Sequence, residues 1–328
     1  MLPINQLATH LPNNTDKKIV LLHWNGRFGN RMFTYAFLRQ YAEDFNLKIY
    51  LPSDWEGTKL LKHQPHEIIA DDELRLYLNQ TDKAFDNLDA RLGAIAQFNK
   101  KNNDNIQYMN PDVEQDYGKI NVCIDSLCCY SPHIFKQYSR KKMVEDYFAF
   151  SDEITQSDLY KRLEDNQGKY VVAHLRRDDV SDANNKTNRG YSVISKESYL
   201  KAFKKYGYDP KDVVWVTDDK TGKWGVNSTA IQGGWSYPTG SECKPEIFFN
   251  WFPDFLKLKF AKAIFRANSS FSWWAAFLSN AEVYAPRLHK RVLFHETNQE
   301  LAVEFEKGNH PHWICVQGKD NCDDIIIL

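Results

Sequence analysis

The run Tyr170-Val171-Val172-Ala173-His174-Leu175-Arg176-Arg177-Asp178-Asp179 sets a histidine, two adjacent arginines and two aspartates directly after a strand-like apolar stretch. In open α/β sheets, ligands bind at the carboxyl ends of the strands. Guanidinium groups held there suit a diphosphate, because each can donate bidentate, charge-assisted hydrogen bonds. The residue types therefore point to an anion site, probed by a nucleotide, at the mouth of a sheet. Neighbouring side chains on a strand point to opposite faces. Arg176 and Arg177 thus cannot both face one ligand if the extended chain continues through them: one grips phosphate while the other pairs with Asp179 and fixes the loop. The ordinary structural alternative is an Arg–Asp network closing a strand end.

Two further clusters have residues suited to anions. Asn268-Ser269-Ser270-Phe271-Ser272-Trp273-Trp274 lies between two helical patterns. Small hydroxyls and exposed backbone N–H groups at a helix N-terminus bind anions; the competing reading is a plain N-cap before an aromatic core helix. Gly26-Arg27-Phe28-Gly29-Asn30 is a tight loop between a strand and a helix. Its glycines permit close backbone approach, and the helix that follows favours negative charge. It matches neither the dinucleotide fingerprint nor a phosphate-binding loop of the Gly-Lys-Ser/Thr type, and a generic α/β turn is the alternative.

The elements that must position these residues follow from periodicity. Lys18–Trp24 reads as a buried strand, Asn30–Phe45 as a helix with Met32, Phe33, Ala36, Phe37 and Tyr41 at helical spacing, and Leu47–Leu51 as a second strand closed by Pro52. This βαβ pattern implies a parallel sheet. Residues 52–115 are irregular. Val122–Leu127 is a candidate strand, and Ser131–Phe150 and Ser157–Asp165 are candidate helices. A second α/β half opens near Lys169. It comprises a strand into His174, a helix from an N-capping Ser195 to Tyr206, a strand Val213–Thr217 ending in Asp218-Asp219, a helix Phe252–Phe265, a helix from Phe271 and a strand Glu282–Pro286. The expected domains are residues 1–165 and 166–328. The Asn-rich loop 181–190 is a candidate flap, and Trp224 and Trp235 either stack on a sugar or anchor their loop.

Composition narrows the function classes. The chain has 328 residues, 42% of them hydrophobic, enough for two domains of ordinary size. Lys+Arg number 42 against Asp+Glu 43, a net charge of −1 that argues against nucleic-acid binding driven by bulk charge. Any anion site is therefore local. No apolar stretch reaches the length of a membrane span, and Met1–Asn14 has no Lys or Arg to open a secretory signal, so a cytoplasmic location is expected. The six cysteines form no Cys-x-x-Cys pair and read as scattered reduced thiols. His63-x-x-His66 and His310-x-His312 read as surface loops without a third metal ligand.

Taken together and in order, the three clusters resemble those of the fucosyltransferase superfamily that uses GDP-fucose. His174-Leu175-Arg176-Arg177-Asp178-Asp179 resembles the His-x-Arg-Arg-x-Asp motif of α1,2- and α1,6-fucosyltransferases. Asn268–Ala276 resembles the Asn-Ser-Ser-Phe-Ser-Trp-Trp segment of the α1,2 enzymes, glycosyltransferase family 11. Gly26–Phe33 is similar to their Gly-x-Gly-Asn-Gln-Met-Phe opening, and to the Gly-Arg-Phe-Gly-Asn of protein O-fucosyltransferases. The motifs span positions 26 to 286.

The resemblance implies an α/β, GT-B-like fold of two facing Rossmann-like domains, with the GDP-sugar donor held by the C-terminal half and a glycan or oligosaccharide acceptor on the N-terminal side. It implies an inverting fucosyl transfer, α1,2 in type. By the same resemblance, Arg176 or Arg177 binds the diphosphate, His174 touches the nucleotide, Asn268, Ser269, Ser270 and Phe271 contact donor phosphate or sugar, and Asp254 reads guanine. Arg27 and Asn30 lie near the reacting bond, and Gly29 is counted with the donor-binding residues. Asp179 or Asp182 is the candidate general base. Departures are Arg31, where the α1,2 enzymes have Gln, and Asp178, where Gly is usual; both bear on acceptor and donor choice. With no strict Asp-x-Asp, fixed arginines rather than a metal ion are expected to neutralise the leaving diphosphate, and no cofactor is expected. The rival readings are a transferase for another GDP-6-deoxyhexose, such as GDP-rhamnose, and a non-catalytic nucleotide-sugar or carbohydrate-binding protein.

Overall fold

The computed structural model describes residues 17–24, 26–70, 106–108, 120–123, 140–177, 192–218, 249–288 and 299–309. The chain divides into two compact units, Met1–Ala149 and Phe150–Leu328. Residues 150–165, which the sequence pattern assigned to the first domain, belong to the second of these units. Both units are α/β with parallel-rich sheets.

The first unit has a parallel five-stranded sheet of order β3-β2-β1-β5-β4, with β1 Lys18–Leu21, β2 Lys48–Leu51, β3 His66–Ile68, β4 Ile106–Tyr108 and β5 Ile120–Cys123. The long helix α1, Phe28–Phe45, connects β1 to β2 and buries Met32, Phe33, Ala36 and Phe37. Asn46 ends it at φ 52, a left-handed cap that Asn tolerates better than most residues. A short helix α2, Gly57–Leu60, follows β2. His66, read from the sequence as part of a surface loop, instead pairs in β3. It is half-buried, and burial lowers its imidazole to about 4.

The second unit has a five-stranded sheet of order β10-β9-β8-β6-β7. Its strands are β6 Val171–Leu175, β7 Val213–Thr217, β8 Ala263–Phe265, β9 Glu282–Arg287 and β10 Glu304–Lys307. All neighbours are parallel except β10 with β9. Helices α3 Arg140–Lys142, α4 Asp152–Thr155 and α5 Asp158–Asp165 precede this sheet in the chain, α3 within the first unit; α6 Lys196–Tyr206, α7 Phe252–Phe260 and α8 Ser270–Phe277 are interleaved with its strands. Ser157 and Ser195 cap α5 and α6, each hydroxyl accepting from a backbone N–H three residues on.

One expectation fails here. The sequence reads residues 252–265 as a single helix, but the helix stops at Phe260 and Ala263-Ile264-Phe265 is a buried central strand. A three-residue apolar run has no period of its own, so it merged with the amphipathic helix before it. The difference matters for the site. The chain leaves β6 to form β7 on one side and later returns to place β8 on the other, so the strand order reverses between β6 and β8. Such a reversal opens a crevice at the carboxyl ends of the two strands.

Strand alternation sorts the core. Val171, Ala173 and Leu175 face a cluster with Val213, Trp215, Phe265, Tyr199, Phe203 and Phe305. Phe265 is fully buried, with ring centroids 4.8 Å from Phe203 and 4.6 Å from Tyr284. Among the described residues, no helix is long and apolar enough to cross a membrane. Phe265→Ala is expected to destabilise the second unit by about 3–5 kcal/mol through lost burial and a residual cavity. Urea unfolding checks this: a lowered midpoint is expected, and a midpoint equal to wild type contradicts the packing.

Candidate functional site

The carboxyl ends of β6 and β8 bring the first and second sequence clusters together. His174 alternates with Ala173 and Leu175, so it faces away from the α6 side. Its ring lies 5.7 Å from that of Phe271 at the start of α8. Arg176 continues the His174 face, and its Nη1 donates to the Ser269 hydroxyl at 3.4 Å. Arg177 continues the Leu175 face. Its Nη2 donates to the Ile194 carbonyl at 2.8 Å and to Glu300 Oε1 at 2.7 Å, and its Nη1 donates to the Arg176 carbonyl at 2.9 Å. The Arg177 backbone N–H donates to Asp218 at the end of β7, at 2.6 Å.

The two arginines are therefore not equivalent. Arg176 is half-exposed, whereas Arg177 is 1% exposed. Arg177, expected among the donor-binding residues, is committed to an internal ion pair and two carbonyls. A guanidinium buried and bonded in this way holds the strand end together, whereas the sequence expectation placed it on the donor. One acidic partner is Glu300, 123 positions away in the chain. Asp179 and Asp182 lie outside the described residues.

Helix α8 starts at Ser270, with Ser269 in the N-cap position at φ −153 and ψ 132. No side chain caps it; the Ser269 hydroxyl meets Arg176 instead. The first N–H groups of a helix have no intrahelical acceptor. Arg176 and this helix start thus present positive charge to one place. Asn268, immediately before, is buried, and neither its Oδ1 nor its Nδ2 makes a hydrogen bond among the described residues; nor does the buried Nδ1 of His174. Each such buried polar atom costs about 1–3 kcal/mol unless a partner is supplied. These are the marks of a site built to receive polar groups.

Electrostatics keep His174 neutral. Burial first, then the charges of Arg176, Arg177 and Arg266, lower its imidazole to about 3. Arg266, at the end of β8, is fully buried, and burial lowers it to about 9. Sequence reasoning passed over Arg266; its one signal is an arginine directly after an apolar run, the same pattern that singled out Arg176. Phe271 also meets Trp251 and Phe255, with ring centroids at 5.9 and 5.4 Å, which brings the start of α7 beside the start of α8. Asp254 lies in the first turn of α7 and pairs with Lys257 at 3.8 Å. Burial lowers the Lys257 amine to about 8 against the pull of Asp254.

The third cluster lies in the first unit, after β1. Gly26 has φ +72, a left-handed conformation that favours glycine, and a Cβ there would displace the Asn30 side-chain amide. Arg27 is exposed at the N-cap of α1, and Gly29 and Asn30 form its first turn. Arg31 braces this loop. Its guanidinium pairs with Asp54 at 3.3 Å and Glu56 at 3.0 Å, and its Nε donates to the Gly26 carbonyl at 3.2 Å. Trp24 stacks on Trp55 at 4.8 Å under the same loop. Arg31, noted in the sequence as a departure from the motif it resembles, therefore has an internal duty.

No family model matches this chain, and no curated protein matches it. Among solved structures it is similar to NodZ α1,6-fucosyltransferase soaked with GDP-fucose, at 11% identity and a TM-score of 0.47 over 89% of this chain and 99% of that one. Fucosyltransferase NodZ from Bradyrhizobium gives 12% identity and a TM-score of 0.48 over 89% and 99%. A mutant of Arabidopsis thaliana FUT1 in complex with GDP gives 10% identity and a TM-score of 0.47 over 92% and 77%. Scores of this size decide neither the family nor the activity of this chain.

The lowered imidazole of His174 fixes a pH dependence. Below about 6.5 the unfolded chain protonates this residue while the folded one does not, so the unfolded state binds more protons. Stability is therefore expected to fall as pH drops from about 6.5 toward about 3. His174→Gln, neutral at every pH, is expected to flatten that part of the curve. Urea unfolding of both proteins at pH 7 and pH 5 checks it: an equal loss in the two proteins contradicts a buried neutral His174.

Proposed function

We propose that this chain is a glycosyltransferase that moves L-fucose from GDP-fucose to a hydroxyl of a glycan acceptor, forming an α1,2-type bond. The observation that carries the reading is the meeting of Arg176 with the uncapped start of α8 at the strand-order reversal of the second sheet. That meeting joins the two sequence segments, around His174 and around Asn268, that resemble the GDP-fucose enzymes. The GT-B pairing of two Rossmann-like units is part of the same proposal.

In this reading the donor diphosphate lies at Arg176, Ser269 and Ser270. The acceptor hydroxyl attacks the anomeric carbon as the bond from that carbon to the β-phosphate oxygen breaks, with inversion. The bonding pair leaves on the phosphate oxygen, and the Arg176 guanidinium and the α8 N–H groups stabilise the charge that develops there. Neutral His174 and the Asn268 amide offer hydrogen bonds to the nucleotide without adding charge. Phe271 packs against the donor, and Asp254 accepts from guanine N–H groups. Arg27 and Asn30 lie by the reacting bond, and Gly29 lets the backbone approach the donor. The acceptor proton passes to Asp179 or Asp182. Fixed cations do the neutralising, so a divalent ion is not needed.

Turnover with GDP-fucose and a panel of glycan acceptors tests this, with the product linkage identified by NMR. An α1,2-fucosylated product is expected, unchanged in rate by a chelator. Arg176→Ala is expected to lower kcat/KM at least about a hundredfold, as loss of a charge-stabilising donor does. An α1,6 product overturns the linkage, preference for another GDP-deoxyhexose overturns the donor, and a large metal-reversible loss overturns the metal-free route. Binding of GDP without any transfer favours a non-catalytic binding protein.

A further inference from the structure

The structure assigns Glu300 as a positioning residue for Arg176, acting through Arg177; this rests on the reading of Arg176 as the diphosphate ligand. Four chain segments meet at the Arg177 side chain and backbone. The Arg176 carbonyl and the Ile194 carbonyl accept from its guanidinium, Glu300 forms the ion pair, and Asp218 accepts from its backbone N–H. The segment carrying Glu300 is itself stitched to the entry of α6. Leu301 N–H donates to the Val193 carbonyl at 2.7 Å, Ser195 N–H donates to the Leu301 carbonyl at 3.0 Å, and Val303 N–H donates to the Ser198 hydroxyl at 3.0 Å.

This arrangement fixes the backbone at Arg176 from the opposite side of the sheet. Arg177 holds the Arg176 carbonyl, and the ion pair holds Arg177. With that carbonyl and the next N–H both tied, the Arg176 side chain has one face to leave by, the one that carries Ser269. Glu300 is only 22% exposed, so its charge is weakly screened where it meets the buried guanidinium. Its carboxylate touches no atom of the donor site described above. Removing its charge takes an anion at 2.7 Å from a buried cation, and the cation then gains by moving toward solvent and taking the Arg176 carbonyl with it.

Calorimetry with GDP on the full chain tests this, using Glu300→Gln, Arg177→Lys, Arg176→Ala and each of the first two combined with the third. Glu300→Gln keeps the shape and removes the charge; Arg177→Lys keeps a charge but not the fork that reaches both Ile194 and Glu300, and it serves if the first variant does not fold. In either single variant the Kd for GDP is expected to rise about tenfold. Combined with Arg176→Ala, neither is expected to weaken GDP further, because the effect runs through Arg176. A role in stability alone moves the unfolding midpoint and leaves Kd at the wild-type value; that result, or full additivity with Arg176→Ala, overturns the positioning role. If wild type itself does not bind GDP, the reading under Proposed function fails and the positioning role falls with it. Wild-type binding that is lost in Arg176→Ala but retained in Glu300→Gln sinks only the positioning role.

Discussion

The mouth of the second sheet depends on one buried ion pair, Arg177 with Glu300. A guanidinium that is 1% exposed must have its charge and its donors met inside the protein. Here an acid from a remote segment and two backbone carbonyls meet them, and the carbonyl of the preceding residue is one of the two. Everything at the rim of β6 follows from that demand. The backbone at Arg177 cannot shift without exposing or unpairing the cation, and the residue before it is turned to the opposite face. Removing one partner of such a pair is far more disruptive than the pair is stabilising, so its value lies in the geometry it imposes.

The same rim separates charge from neutrality. Three arginines surround His174, and burial together with their field keeps its ring uncharged. The chain as a whole has a net charge of −1, so the positive field at this rim is local and comes from placement. Arg176 joins it from the end of β6, Arg266 from the end of β8, and the start of α8 adds the partial charge of a helix N-terminus. In the first unit, by contrast, the loop after β1 is braced by acids: Arg31 is pinned by Asp54 and Glu56, and Arg27 beside it is exposed. The two units thus carry loops of different electrostatic character at comparable points of their sheets.

How much of this was legible depended on whether a signal was local. The βαβ opening, strand β6, the helix that follows Ser157 and the cap at Ser195 each rest on residues within a few turns or one strand, and each stands in the structure. The opposite faces of Arg176 and Arg177 follow from alternation alone. Strand β8 was hidden because three apolar residues after an amphipathic helix extend its pattern, yet its insertion beside β6 creates the reversal at which the site lies. Glu300 carried no local signal; an acid in a polar stretch acquires meaning only when the fold carries it to Arg177. The expected pairing of an arginine with Asp179 lies outside the described residues.

The most direct test is a crystal structure of the full chain grown with GDP. The diphosphate is expected against the Arg176 guanidinium and the Ser269–Ser270 backbone, with Arg177 still on Glu300 and Asn268 and His174 hydrogen-bonded to the nucleotide. GDP bound elsewhere, or bound here by an Arg177 that has left Glu300, contradicts the account.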